Sequence, residues 1–265
     1  MISNINNNNT LSLQTILRRN SADQDRSLQR LATGKQINSG SDDPAGLIAA
    51  MDLDSELHAL DAESRSLQRV NSNATITDGH MAELTSMMGD LRELVVASAN
   101  TGGLSDAEVA ANQMRIDSLT ASISRFAGDA VKSLDGINLP DNGNETLATA
   151  LQNAAAEVST LASGGTNSLA SGNFGAMETA LADATTAFTE ARGTVGAYQK
   201  DQVQSRLSAI ASERESLSAA FSTIMDTDYA AEAANQSRSK ILTEANVQVL
   251  KIANQNAQSV LKLLS

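Results

Sequence analysis

Two histidines, His58 and His80, are the first place to look for chemistry in this 265-residue chain. Neither has a second His at metal-ligand spacing, and a zinc site needs three or four His, Cys or carboxylate ligands. The stretch HMAEL at 80–84 lacks the second His of the H-E-x-x-H arrangement of zinc proteases. With no cysteine there can be no disulfide, thiolate metal site or thiol nucleophile. ATGKQ at 32–36 holds a Gly-Lys pair, but a phosphate-binding loop needs glycine where Gln29 stands and Ser or Thr where Gln36 stands. Asp42 and Asp43 lie just before Pro44, where carboxylates cap free helix amides more readily than they exchange a substrate proton. Met81, Met87 and Met88 read as seam packing, since Met fills irregular gaps. The residues supply no nucleophile–base constellation and no cofactor cradle, so the sequence reads as a non-enzyme.

The elements that carry these residues explain more. Aromatics make up 2 % of the chain, Trp is absent and only two Pro occur. A chain so poor in bulky core residues must bury small side chains over long contacts, which favours extended helices packed as coiled coils. A net charge of −12 and a pI near 4.6 exclude a nucleic-acid binder, which needs clustered Lys and Arg, and disfavour anionic membrane surfaces for the same reason. No apolar run reaches membrane-spanning length. MISNINNNNTLSLQT has neither the basic nor the continuous apolar region of a secretory signal peptide. Export would therefore need another route.

The apolar spacing predicts an all-α chain. The Asn-rich opening is a poor helix start and reads as loose. A thin stripe comes next: Leu13, Ile16, Leu17, Leu28 and Leu31. Gly34, Gly40 and Pro44 break it. The clearest pattern is the run Leu67, Val70, Ala74, Thr77, Met81, Leu84, Met88, Leu91, Val95, whose steps alternate three and four as in a heptad seam. Ser105 and Asp106 open a further helix. From 132 to 175 the text turns rich in Gly, Asn and Ser, with a short helix near Leu147–Leu161 and room for one small β-hairpin near Leu134–Leu139. A long helix resumes at Leu181, Ala184, Phe188, Ala191, Val195 and Tyr198. After a one-residue phase slip it continues with Val203, Leu207, Ile210, Leu217, Phe221 and Ile224. MDTDY at 225–229 makes a break before the last helix.

That last helix ends NVQVLKIANQNAQSVLKLLS. Placed at 100° intervals, Val249, Leu250, Ile252, Val260, Leu261, Leu263 and Leu264 belong to an apolar arc covering about half the circumference. One partner helix covers only a narrow seam, so an arc this wide calls for several neighbours. Alone, such a tail is marginal.

Three separated stretches in order resemble the bacterial flagellins: RLATGKQINSGSDDPAGLIAA at 30–50, LRELVVASANTGGLSDAE at 91–108, and DTDYAAEAANQSRSKILTEANVQVLKIANQNAQSVLKLLS at 226–265. The resemblance covers about 1–139 and 176–265. It is to a short form, since 140–175 leaves no space for large outer domains. It implies a long antiparallel coiled-coil rod, with the terminal helices pairing as an inner segment that is disordered in the monomer. The implied divisions are 1–43 (inner segment and junction), 44–131 (rod helices), 132–175 (turn-rich middle), 176–225 (C-terminal rod helix) and 226–265 (C-terminal inner helix). The function implied is a subunit of the flagellar filament, self-assembling and secreted to the extracellular flagellum for swimming. Implied partners are further copies, an export chaperone around Ile241, Leu242, Val249, Leu250, Leu261 and Leu264, the filament cap and hook-junction proteins, and a type III export apparatus. A hook–filament junction protein or minor filament component is the neighbouring alternative. A coiled-coil signalling rod is the alternative from another class, and would lack break-flanked apolar ends.

The resemblance also locates a patch through which recognised flagellins engage the vertebrate Toll-like flagellin receptor. Arg92, Glu93 and Leu94 match it, whereas Asp90 stands where recognised members tend to carry Arg, and Arg115 where they tend to carry Glu. Two reversed charges imply weakened recognition. The other reading makes these five ordinary surface or lattice residues.

Overall fold

A computed structural model describes the backbone of residues 2–99 and 103–264, and the side chains of that span other than those of 2–10, 257 and 260–264. The described residues are predominantly helical, and no strand occurs among them, so the fold is all-α. Its helices are α1 (Ile2–Thr33), α2 (Pro44–Ala99), α3 (Asp106–Leu134), α4 (Gly143–Ser159), α5 (Phe174–Ala197), α6 (Ser205–Met225) and α7 (Tyr229–Leu264). A π-helical turn, Tyr198–Gln204, joins α5 to α6. They form two compact units, 1–59 with 213–265, and 60–212.

Local chemistry sets the helix starts. Asp43 Oδ1 accepts from the amides of Ala45 and Gly46 at 3.1 and 2.9 Å, so α2 begins at Pro44, whose missing N–H costs nothing there. Ser105 and Glu108 exchange hydrogen bonds in a capping box that opens α3. Asp228 Oδ1 accepts from Ala230 and Ala231 ahead of α7. The Asn-rich opening, expected to be loose, is helical backbone from Ile2. Asn lowers helix stability by only a fraction of a kcal/mol per residue (about 0.7 at most), which a helix already running downstream can carry.

In the unit 60–212, α2 runs antiparallel to the chain of α5, the π turn and the start of α6, because polar partners climb one helix as they descend the other. Arg92 pairs with Glu178, Asp78 with Arg192, Asn71 with Gln199 and Glu63 with Arg206. Between them Met81, Leu84, Leu91, Ile116, Ile123, Leu151, Leu161, Met177, Leu181 and Phe188 are wholly buried in one core. The phase slip between Tyr198 and Val203 is the π turn. It holds one surplus residue without rotating the helix beyond it, so Val195 and Val203 are both fully buried.

Residues 134–139 are not a hairpin. Leu134 ends α3, and Ile137 and Leu139 are buried in a loop. The Asn144 side chain replaces a strand ladder: Oδ1 accepts from the Leu139 amide at 3.0 Å, while Nδ2 donates to the carbonyls of Leu134, at 3.0 Å, and Ile137. One amide satisfies the loop backbone that a second strand would otherwise pair.

Candidate assembly surfaces

In the unit 1–59 with 213–265, α1 and α7 pack along each other, and the segments beside them meet in a short backbone clasp. Lys35 and Asp226 form an isolated antiparallel bridge, with Gln36 N–H donating to Met225 O at 2.7 Å and Thr227 N–H to Gly34 O at 2.9 Å. Gly34 turns the chain at φ +70°, and a Cβ there would stand 2.8 Å from the Tyr229 hydroxyl, two reasons for glycine. Ile37, Ala50 and Met225 make a small core beside Leu47, Phe221 and Ile224. Asp42 gathers the loop, accepting from the amides of Asn38 and Ser39 and from the Ser39 hydroxyl. These donations, led by the Asn38 amide, hold its carboxyl below the ordinary value.

The helices of that clasp present much apolar surface to solvent. Ile241 is 64 % exposed and Ile252 55 %, with Leu242, Val247, Val249, Leu11, Ile16 and Leu28 also exposed. Leu13, Leu17, Leu31 and Leu250 are half-buried. The side chains of Val260, Leu261, Leu263 and Leu264 lie outside the described residues. Of the seam residues, Met81, Leu84, Met88, Leu91, Val95, Val203 and Ile210 are buried, and Leu67, Val70, Leu207, Leu217, Phe221 and Ile224 half-buried. The exposed residues on α7 form a run along one helix that calls for cover, since scattered single hydrophobics are ordinary but such a run is not.

The second surface lies on α2 and α3. Asp90, Glu93 and Leu94 line a groove of about 420 Å³ with Arg115 and Asn112 of α3. Asp90, Arg92, Glu93 and Arg115 are exposed, but Leu94 is 5 % exposed and belongs to the core, while Arg92 is engaged by Glu178. The structure thus brings four of the five together at one groove and leaves Arg92 on another side of the helix, tied to α5.

Sequence reasoning missed one polar network. Gln113 and Asp117 of α3 pin the segment after α4. Asp117 accepts from the Ser163 amide at 2.8 Å and hydroxyl at 2.5 Å, and Gln113 donates to Leu161 O and accepts from Leu169 N–H. The i, i+4 hydrogen bond of Gln113 to Asp117 was legible, but nothing local names Ser163. Burial pushes the Asp117 carboxyl up, and the Ser163 and Gln113 donations outweigh it, leaving it below its ordinary value. Among the described residues no group of His, Cys, Asp and Glu could hold a metal, and no helix is long and apolar enough to cross a membrane.

The model of the bacterial flagellin N-terminal helical region matches residues 5–145, and that of the bacterial flagellin C-terminal helical region matches 179–264. A flagellar filament 30.7 kDa core protein of Treponema maltophilum is 29 % identical, over 90 % of this chain and 91 % of its own. A flagellin of Listeria monocytogenes is 28 % identical, over 98 % and 99 %. A flagellin of Bacillus subtilis is 27 % identical, over 97 % and 99 %.

Proposed function

This chain belongs to the bacterial flagellins and is a structural subunit that polymerises into the flagellar filament for motility; from that premise we propose that its two terminal helices are the half-interfaces the polymer completes. The observation that carries this reading is the run of uncovered apolar side chains on α7, Ile241, Val249 and Ile252 among them. In a tube of identical subunits the same surfaces meet neighbours by a heterologous contact that need not close, so burial continues along the filament. Leu13, Ile16, Leu17, Leu28 and Leu31 on α1, with Leu250, Ile252 and the terminal Val260, Leu261, Leu263 and Leu264, are the proposed core of that tube. Residues 1–43 and 226–265 are its proposed inner segment, 44–131 and 176–225 the rod, and 132–175 the outward middle. The seam residues hold the subunit itself together and so set the shape that repeats.

Export draws on the same surfaces. A chain with so much uncovered α7 needs shielding before it polymerises, and a chaperone covering Ile241, Leu242, Val249, Leu250, Leu261 and Leu264 would supply it. Type III export, delivery to a filament cap and seating against hook-junction proteins complete the proposed partners, and place the product in the extracellular flagellum. We assign it no catalysis. At the groove of Asp90, Glu93 and Arg115, reversed charges favour weak recognition by the vertebrate receptor, and a reporter-cell assay answered strongly by purified monomer would refute that point.

Electron microscopy of the purified chain after concentration or salting tests the main reading. Long tubes are expected. Removing 245–265 should leave soluble helical protein that makes none, and normal tubes from that truncation would overturn the role given to α7.

A further inference from the structure

The α1–α7 pair holds a second feature, an arginine-rich groove in which two guanidinium donors find no acceptor among the described residues. It measures about 300 Å³ and is lined by Asp23, Arg26 and Arg30 of α1 and Glu232, Asn235 and Arg238 of α7, among others. Three guanidiniums share two carboxylates of the lining, and Asp42, beyond the lining, also feels the charge of Arg30. Asp23 sits 3.5 Å from Arg26, and Glu232, itself only 7 % exposed, sits 3.7 Å from Arg30. Arg238 makes no ion pair among the described residues. Arg30 Nε is buried and has no hydrogen-bond acceptor among them. A guanidinium cannot escape by losing its proton, and a buried N–H without an acceptor is costly. Arg30 Nε and the Arg238 guanidinium are thus left without an acceptor among the described residues.

We propose that this groove is a socket for a carboxylate from a second copy of the chain, accepting hydrogen bonds from Arg30 Nε and Arg238. The inference rests on the filament reading. Charge complementarity selects the occupant: the chain carries 31 acidic residues against 19 basic, so a neighbouring copy offers an acid-rich surface, and the groove is a local reversal of that sign. Guanidinium forks match carboxylates in geometry as well as charge. The socket has a task that the apolar contacts cannot perform. Greasy helix faces attract without direction and tolerate a slip by one turn, whereas an ion pair in a groove has one register.

The test is polymerisation of purified wild-type, R238Q and R238K chains. Arg238 is exposed, so circular dichroism and melting of the dilute chain should not change. The critical concentration should rise about tenfold for R238Q and less for R238K, which keeps the charge and loses the fork. A density map of the wild-type filament should place a neighbour's carboxylate within hydrogen-bond distance of Arg30 Nε. Equal critical concentrations for wild type and R238Q overturn the socket alone. So does a map in which the groove is filled by a carboxylate of the same chain, by water, or by a small anion. A wild-type chain that never polymerises overturns the filament reading and the socket with it.

Discussion

Replacing Ile241 or Ile252 by Gln isolates what the exposed face of α7 contributes to the polymer. Ile241 is 64 % exposed and Ile252 55 %. Full burial of an isoleucine is worth about 1.5–3 kcal/mol, so covering the remaining fraction should yield about 1–2 kcal/mol at each position. Gln is as good a helix former as Ile, which leaves the backbone preference nearly unchanged. The isolated chain loses little, because those atoms already face water. The polymer loses the whole term for every subunit. With 1.4 kcal/mol per factor of ten, the critical concentration should rise about five- to thirty-fold for either variant. The positions are about 16 Å apart along the helix, far enough for the losses to add, so the double variant should need roughly a hundredfold more protein. Sedimentation of polymer across a concentration series measures this, with circular dichroism of the dilute chain as control. An unchanged critical concentration together with a lower melting temperature would refute the reasoning, since these side chains would then serve the monomer's own packing.

Phe188, fully buried in the core of the unit 60–212, should cost about 3–5 kcal/mol when cut to Ala, measured by urea unfolding. Deleting Lys200 from the π turn should be tolerated, because that turn already holds one surplus residue; deleting Thr186 from α5 should rotate the residues on one side by about 100° relative to the other and melt the protein far earlier. Equal melting temperatures for the two deletions would contradict the account of the turn. The Asp117 carboxyl lies below its ordinary value of 3.8, so its hold on Ser163 is complete above that value and drains away as pH falls through the lower, folded one. The Ser163 amide resonance should shift over that acid range in the wild type and stay still in D117N.

Much of the fold was legible because helix periodicity is a property of one segment. The steps of three and four from Leu67 to Val95 report burial directly, and Met81, Leu84 and Leu91 are wholly enclosed. The surplus residue between Tyr198 and Val203 is visible in the sequence as a phase slip, since a heptad count registers a single insertion. Caps at Asp43 and Ser105 were legible too, because a cap and its amides lie within three residues of each other.

Contacts between distant segments were decided by the tertiary structure. Nothing near Asp78 names Arg192, nothing near Asp117 names Ser163, and nothing near Arg30 names Glu232. The turn-rich stretch after Leu134 admitted a hairpin on composition alone, but Asn144 reached back to take its hydrogen bonds. Leu94 looked like part of an exposed patch and is in the core, because which side of α2 faces α3 depends on where the second helix lies. A sequence by itself determines which faces of a helix are apolar; which neighbour covers each face, and which face is left for another subunit, depends on the relative placement of whole elements, and that is a property of their packing.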